Sequence, residues 1–236
     1  MHPSLDPHQL YLSVDGLILT VRQGRLTVLL SRRSNPPNLG QWALPGRLVG
    51  LDESADTAVA HLLEEMLPGV SAYSEQLYTF TQPGRDPRGR VVTVAHLILL
   101  PWEALEETLH RPDVTLQPFA IGTEADGFPL TAEDGTQLFP GDLAFDHGWI
   151  LVTGVTRLQG KIDYTDVGFH LLKDMQAFSL SELQTVFEAV LNQTLDASNF
   201  RRGILAKYES TGRLTQTSQA KRQGRGRPAA LYQFTP

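Results

Sequence analysis

Along the first hundred residues, apolar positions alternate or run in short blocks, with one stretch at helical spacing. Residues 11–20 (YLSVDGLILT) and 25–30 (RLTVLL) are rich in Leu, Val and Ile and meet at a turn around Gln23 and Gly24, which predicts two strands. A Pro, Gly and Asn-rich loop, RRSNPPNLGQWALPG, follows. Residues 58–67 then place apolar side chains three and four apart, the mark of an amphipathic helix, with Ser54 positioned to cap it. Residues 76–80 and 91–100 read as strands again, separated by TQPGRDPRGR. Residues 103–141, rich in Pro, Gly, Asp and Glu without periodicity, are expected to be irregular, with short strands, and to lead into a linker. Strands, one helix and further strands suit an α+β sandwich and do not suit repeated βαβ units.

From residue 141 the spacing turns helical. LAFDHGWILVTGVTRLQGKI predicts a long helix that links two domains and packs on the second. FSLSELQTVFEAVLNQ is the clearest helix of the chain: Ser179 and Glu182 form a capping box, and Leu183, Val186, Phe187, Val190 and Leu191 form one apolar stripe assigned to the core. After the short turn TLDAS, NFRRGILAKY turns Phe200, Ile204, Leu205 and Tyr208 inward and leaves Asn199, Arg201, Arg202 and Lys207 outward. Two short strands, RLTQTS and ALYQF, then flank the basic loop QAKRQGRGRPA. Helix, short turn, basic helix and basic hairpin is the order of a winged helix-turn-helix. The expected division is a sandwich domain over residues 1–140 and a winged helix over 141–236.

Charge sharpens this division. Residues 199–236 carry eight basic side chains against Glu209 alone, a net +7, so the remainder carries −13 of the total of −6. A basic segment attached to an acidic body points to a polyanion partner, here double-stranded DNA. On a duplex, the helix would bring Ser198, Asn199, Arg201 and Arg202 to base edges, with Lys207 behind them. Lys221, Arg222, Arg225 and Arg227 of the hairpin loop would neutralise phosphates or enter the minor groove. The alternative is a basic helical unit for protein contacts. Cysteine is absent, which excludes disulfides, thiolate metal sites and cysteine nucleophiles. An apolar fraction of 41% is that of a chain with an ordinary core, and no run approaches the roughly 18 apolar residues of a membrane helix. The opening MHPSLDPHQL, polar and broken by proline, does not read as a signal peptide, so a cytoplasmic protein without membrane partners is expected.

The stretch WALPGRLVGLDESADTAVAHLLEEM, residues 42–66, resembles a Nudix box, G-x5-E-x7-R-E-U-x-E-E-x-G-U, stripped of most carboxylates. In that box, glutamates three and four apart on one helix face hold a divalent cation against a pyrophosphate. Anchored on Arg47 in place of the glycine, the frame keeps Glu53 and Glu65, replaces the central Arg-Glu by His61 and Leu62, and ends on Met66. Anchored on Gly46, it keeps Glu64 and Glu65, with Asp52 in the first position and Ala60 and His61 in the centre. We favour the first frame, which puts Ala58 and Leu63 where the box packs its helix. Either frame loses the central glutamate, so neither a metal site nor a catalytic residue is assigned. The bland alternative is an ordinary amphipathic helix with Glu64 and Glu65 solvated.

The segments QLYTFTQPGRDPRGRVVTVAH, LAFDH, SELQTVFEAVL, NFRRGIL and GRGRPAALYQF, in this order over nearly the whole chain, resemble the Nudix-related transcriptional regulators of the NrtR kind. The resemblance implies a Nudix-like α/β/α sandwich joined to a winged helix, and a homodimer that represses genes of NAD metabolism. It implies ADP-ribose, or a related nucleotide or sugar metabolite, as effector, with no required cofactor. Physically, Arg85, Arg88 and Arg90 within six residues suit a diphosphate grip through bidentate, charge-assisted hydrogen bonds. Asp86 either holds one arginine in place or only shapes the hairpin. Arg47 and Glu65 complete the expected ligand contacts. Two rivals remain at this stage: a Nudix hydrolase of ADP-ribose with an accessory winged helix, using Glu53, Glu64 and Glu65 in a shifted frame, and a protein-interaction adaptor.

Overall fold

The structure, a computed structural model, describes residue 6, residues 9–221 and residues 229–236. Strands β1 (Leu10–Arg22) and β2 (Arg25–Arg32) form an antiparallel hairpin whose two turn residues, Gln23 and Gly24, both have positive φ, 51° and 71°. That geometry matches the right-handed twist of the flanking strands. After β3 (Trp42–Ala43) and β4 (Gly46–Leu48), helix α1 (Ala55–Met66) is capped by Ser54, which accepts the Thr57 amide. Strands β5 (Tyr73–Phe80) and β6 (Arg90–Leu99) follow, and β6 runs parallel beside β1. The main path of the sheet is then completed by β7 (Leu116–Ile121), β8 (Leu130–Thr131) and β9 (Gln137–Leu138), in the order β5-β6-β1-β2-β7-β8-β9. One departure from expectation is α2 (Trp102–Leu109) inside the segment expected to be irregular. Two turns that bury Leu105 alone offer too short a window for a period to show.

The sheet is buried on both faces. On one, Val14, Ile18 and Leu29 pack with Ala58, Val59 and Leu62 of α1 and Leu105 of α2. On the other, Leu17, Leu19 and Val28 belong to a core shared with Leu151 and Val155 of α3 (His147–Lys161). Gly154 lets α3 approach closely, since a Cβ there would stand 2.1 Å from Leu17 Cδ2. The three layers are therefore helix, sheet, helix, as the α/β/α reading requires.

A short 3-10 turn (Val167–Leu171) leads from α3 to α4 (Leu180–Leu191), α5 (Ala197–Tyr208) and the antiparallel strands β10 (Leu214–Lys221) and β11 (Ala229–Phe234). The Ser179 and Glu182 capping box forms as the spacing predicts, and Leu183, Val186, Phe187 and Val190 are buried. Phe178 bridges Tyr232, adding a third chain segment to the wing sheet. Helix α3 does more than link: it covers the sheet and also meets α4, where Gln159 Nε2 donates to the Val190 carbonyl at 3.0 Å. One core thus runs from the sheet through α3 into Phe187, Tyr208 and Phe234, and a division after residue 140 parts α3 from the sheet it covers. Among the described residues no helix is long and apolar enough to cross a membrane.

Candidate functional site

At one end of the sheet, between the loop after β2, strand β4, the 82–90 loop and the start of α3, lies a cavity of about 470 Å³. Five arginines line it, Arg32, Arg33, Arg47, Arg85 and Arg88, against two carboxylates, Asp15 and Asp86. The arginines differ in how far they are already neutralised. Arg85, with a side chain only 5% exposed, is held by Asp146 through Nε at 2.8 Å and Nη2 at 2.6 Å, with Asp15 at 3.3 Å. Burial alone would lower its pKa; the hydrogen bonds it donates to Asp146 and the charge of Asp15 outweigh this and raise it. Arg88 is closed on Asp86 at 2.6 Å, and the same carboxylate accepts the Arg88 amide. Burial pushes the Asp86 carboxyl up, but these bonds hold it below the usual range. Arg47 is shared between Glu53 at 3.4 Å and Glu65 at 3.3 Å. The Arg33 guanidinium, by contrast, donates among the described residues only to the carbonyls of Pro37 and Asn35, and burial and the neighbouring Arg88 lower its pKa against the pull of Asp86. Among the described residues it forms no ion pair of its own.

The aromatic wall of this cavity is Phe145. It holds a φ of +56°, uncommon and strained for a bulky side chain, with the Arg33 guanidinium 4.5 Å and that of Arg88 5.7 Å from its ring centroid. Directly after it come Asp146, the partner of Arg85, and His147, the first residue of α3. His147 Nδ1 accepts the Leu44 amide at 2.9 Å, which fixes the neutral tautomer with Nε2 toward Asp15, 3.6 Å away. Burial keeps the imidazole pKa below its usual value, against the nearby Asp15 and Asp146. Gly46 completes the arrangement, since a Cβ there would lie 2.2 Å from Asp15 Oδ1.

The three arginines of the expected grip, Arg85, Arg88 and Arg90, stand in different surroundings. Arg85 is held by two aspartates and acts as a structural tie, whereas Arg88, paired with Asp86, stays partly exposed on the cavity wall. Arg90 reaches the Gln82 carbonyl and does not line the cavity. Glu65 is 56% exposed, pairs with Arg47, and also stands outside the lining. The sequence reading did not single out Arg32, Arg33, Phe145 and His147, which line the cavity. The signal was present: two adjacent arginines at a strand end before a Pro/Asn loop, and the LAFDH segment.

The carboxylate face of a metal-binding Nudix helix is not rebuilt. Leu62 is 1% exposed and faces the sheet beside Gly16, and Met66 lines the cavity. Glu53 accepts the Gly50 amide, which with the His61 contact holds its pKa down, and its second oxygen is 2.9 Å from His61 Nδ1. Among the described residues no three His, Asp or Glu side chains are grouped to hold an ion. These donors do not fit a Nudix magnesium site.

In the second unit, Ser198, Asn199, Arg201 and Arg202 are exposed on the first turns of α5, with Arg202 donating to Asn199 Oδ1 at 2.8 Å and Arg201 to the Tyr232 hydroxyl at 3.1 Å. Asp196 caps the helix by accepting the Asn199 amide. Lys207, expected to face outward, instead donates to the Asp163 carbonyl at 2.8 Å and lies over Tyr208, because the last turn of α5 packs on the segment that leaves α3. Arg222, Arg225, Arg227 and the side chain of Lys221 lie outside the described residues.

A helix, sheet, helix sandwich whose box helix opens on an arginine-lined cavity, continued by a helix-turn-helix with its wing, defines a Nudix-type domain joined to a winged helix. Residues 168–234 match the family model described as the NrtR DNA-binding winged helix domain. The ADPR responsive transcriptional repressor NtrR of Acinetobacter baylyi is 35% identical over 227 residues, covering 94% of this chain and 81% of that protein. Shewanella oneidensis NrtR, in a crystal structure complexed with a 27mer DNA, matches with a TM-score of 0.74 at 31% identity, over 95% of this chain and 93% of that one. A MutT/nudix family protein of Enterococcus faecalis matches with a TM-score of 0.77 at 28% identity, over 97% and 89%. The chain belongs to the NrtR family.

Proposed function

We propose that this chain is a ligand-responsive, DNA-binding transcriptional repressor whose Nudix-type domain senses ADP-ribose or a related nucleotide or sugar metabolite. The observation that carries this reading is an anion-seeking cavity at one end of α3 and a winged helix at the other. Arg33, Arg47 and Arg88, with Phe145 beside them, are the side chains proposed to meet the diphosphate; Ser198, Asn199, Arg201 and Arg202 are proposed to read operator bases, with the wing on phosphates. The repressor from Acinetobacter is named for its response to ADP-ribose, which supports the effector class. We place the domain boundary after α3, between residues 162 and 167, so that α3 belongs to the sensing unit.

Regulation requires the effector to bind the free and DNA-bound arrangements with different affinity. Helix α3 offers the physical route. Its start meets the cavity through His147, which lines it, and through the cap residue Asp146, which holds the lining Arg85, and beyond its last turn the Asp163 and Thr165 carbonyls hold Lys207 and the Tyr208 hydroxyl of α5. We further propose a homodimer in the cytoplasm on a two-fold operator next to genes of NAD metabolism. Fluorescence anisotropy with the chain's own upstream DNA tests the reading: sequence-selective, salt-sensitive binding is expected, changed at least five-fold by ADP-ribose. Magnesium-dependent release of AMP at ordinary enzymatic rates, without such binding, would overturn it in favour of a hydrolase.

A further inference from the structure

Beside the arginine-lined cavity lies a second, of about 570 Å³. The two share Arg85 and Phe145, so the Arg85–Asp146 ion pair and the Phe145 ring stand between them. Their chemistry differs. Where the first is crowded with guanidinium groups, the second presents the amides of Asn38, Gln41 and Gln82 and the indole of Trp149. Trp149 is 46% exposed yet fixed by a T-shaped contact with Phe80, centroids 5.0 Å apart. Asn38 Nδ2 donates to Gln41 Oε1. That leaves Asn38 Oδ1 as an acceptor and Gln41 Nε2 as a donor with no protein partner among the described residues.

An aromatic face beside a free donor and a free acceptor is what a heteroaromatic base needs, a surface to stack on and a polar edge to pair with. Each cavity falls in the roughly 300–1,000 Å³ range of small-molecule sites, and the pair offers cations to one part of a ligand and a ring seat to another. We propose that the second cavity is the other half of the effector site: it seats the base of a nucleoside diphosphate derivative on Trp149, with the diphosphate against the arginines of the first cavity. This rests on the reading above that the chain answers to a nucleotide. It adds a specificity element, and because Trp149 lies in the first turn of α3, the base presses directly on the helix that leads to the winged helix.

The full chain, titrated with ADP-ribose, ADP and ribose 5-phosphate while tryptophan emission and heat are followed, tests this. The base-bearing ligands are expected to quench emission, and Trp149→Leu to abolish that component and weaken ADP-ribose by on the order of ten-fold. Ribose 5-phosphate should bind both proteins alike. Gln41→Ala, which removes a donor from an exposed loop and no packing, is expected to weaken ADP-ribose several-fold with an unchanged thermal midpoint, and it keeps the test valid if the tryptophan variant misfolds. Full ADP-ribose affinity in either folded variant would overturn the second seat and leave the effector reading intact. Failure of the wild-type chain to bind ADP-ribose or ADP would overturn both.

Discussion

Asp15 shows how much of the site hangs on single atoms. Its carboxylate is buried on β1, accepts from Arg85 and faces His147 Nε2, and it occupies space that a Cβ at Gly46 would take. Gly46→Ala would set a methyl 2.2 Å from Oδ1, so either the β1–β4 pairing opens or Asp15 turns away from Arg85. A loss of about 1–3 kcal/mol, read by urea denaturation, and weakened effector binding are expected. His147 adds a pH dependence whose sign follows from its environment. Burial first, then Arg85 and Arg33, depress its pKa against Asp15 and Asp146, so the folded protein resists a proton that the unfolded chain accepts below about 6.5. The stability this group contributes is therefore present above pH 6.5 and is lost as the pH falls through the depressed value, by up to about 1.4 kcal/mol per pH unit. His170, half-buried and stacked on Tyr73, is depressed by burial too and acts in the same direction. In His147→Asn, which keeps an acceptor for the Leu44 amide, the drop in thermal midpoint between pH 7.5 and 5.5 should shrink but not vanish.

Helix α1 is the element in which the Nudix resemblance and the loss of the central carboxylate meet. Its Ser54 cap and its length follow from local sequence, but its buried face is Ala58, Val59 and Leu62, so the position of the central glutamate has been given to the core. Restoring the carboxylate by Leu62→Glu would bury a charge against Gly16 and Ile98 without a cationic partner in that cluster. We expect destabilisation of about 3–5 kcal/mol and no magnesium-dependent hydrolysis of ADP-ribose, measured by denaturation and by AMP release. A variant that folds normally and hydrolyses would show that only the carboxylate was missing. The same contrast between local and distant information explains what could be read from the chain beforehand. Strands β1, β2, β5 and β6, helices α4 and α5 and the wing were legible because period, caps and turn residues sit within one element. Helix α2 was not, being two turns with one buried leucine. Nor was the true state of Arg85, whose partners Asp15 and Asp146 lie 70 and 61 residues away in sequence. Lys207 likewise looked free because Asp163, 44 residues earlier, is brought beside it by the turn after α3.

On the scale of the whole molecule, the question is whether cavity and recognition helix respond as one body. The core is continuous from β1 through α3 to Tyr208 and Phe234, and Arg213 pairs with Asp166 at 2.5 Å to hold the wing's root to the same segment. A displacement of α3 at its cavity end therefore has few soft joints in which to dissipate before it reaches α5. Linkage makes this testable without a second structure, since the factor by which ADP-ribose changes DNA affinity must equal the factor by which DNA changes ADP-ribose affinity. For a coupling of about 1–3 kcal/mol this factor is roughly 5–150. Lys207→Met together with Tyr208→Phe removes the two hydrogen bonds from α5 to the Asp163 and Thr165 carbonyls while keeping the side-chain volume that fills the core. Calorimetry is expected to find ADP-ribose bound by the free variant as by wild type, whereas both coupling factors, measured independently by anisotropy and by calorimetry on the DNA complex, fall toward one. Should they stay equal to the wild-type value, the signal does not pass through this joint, and the movement of α3 is not what the winged helix reads.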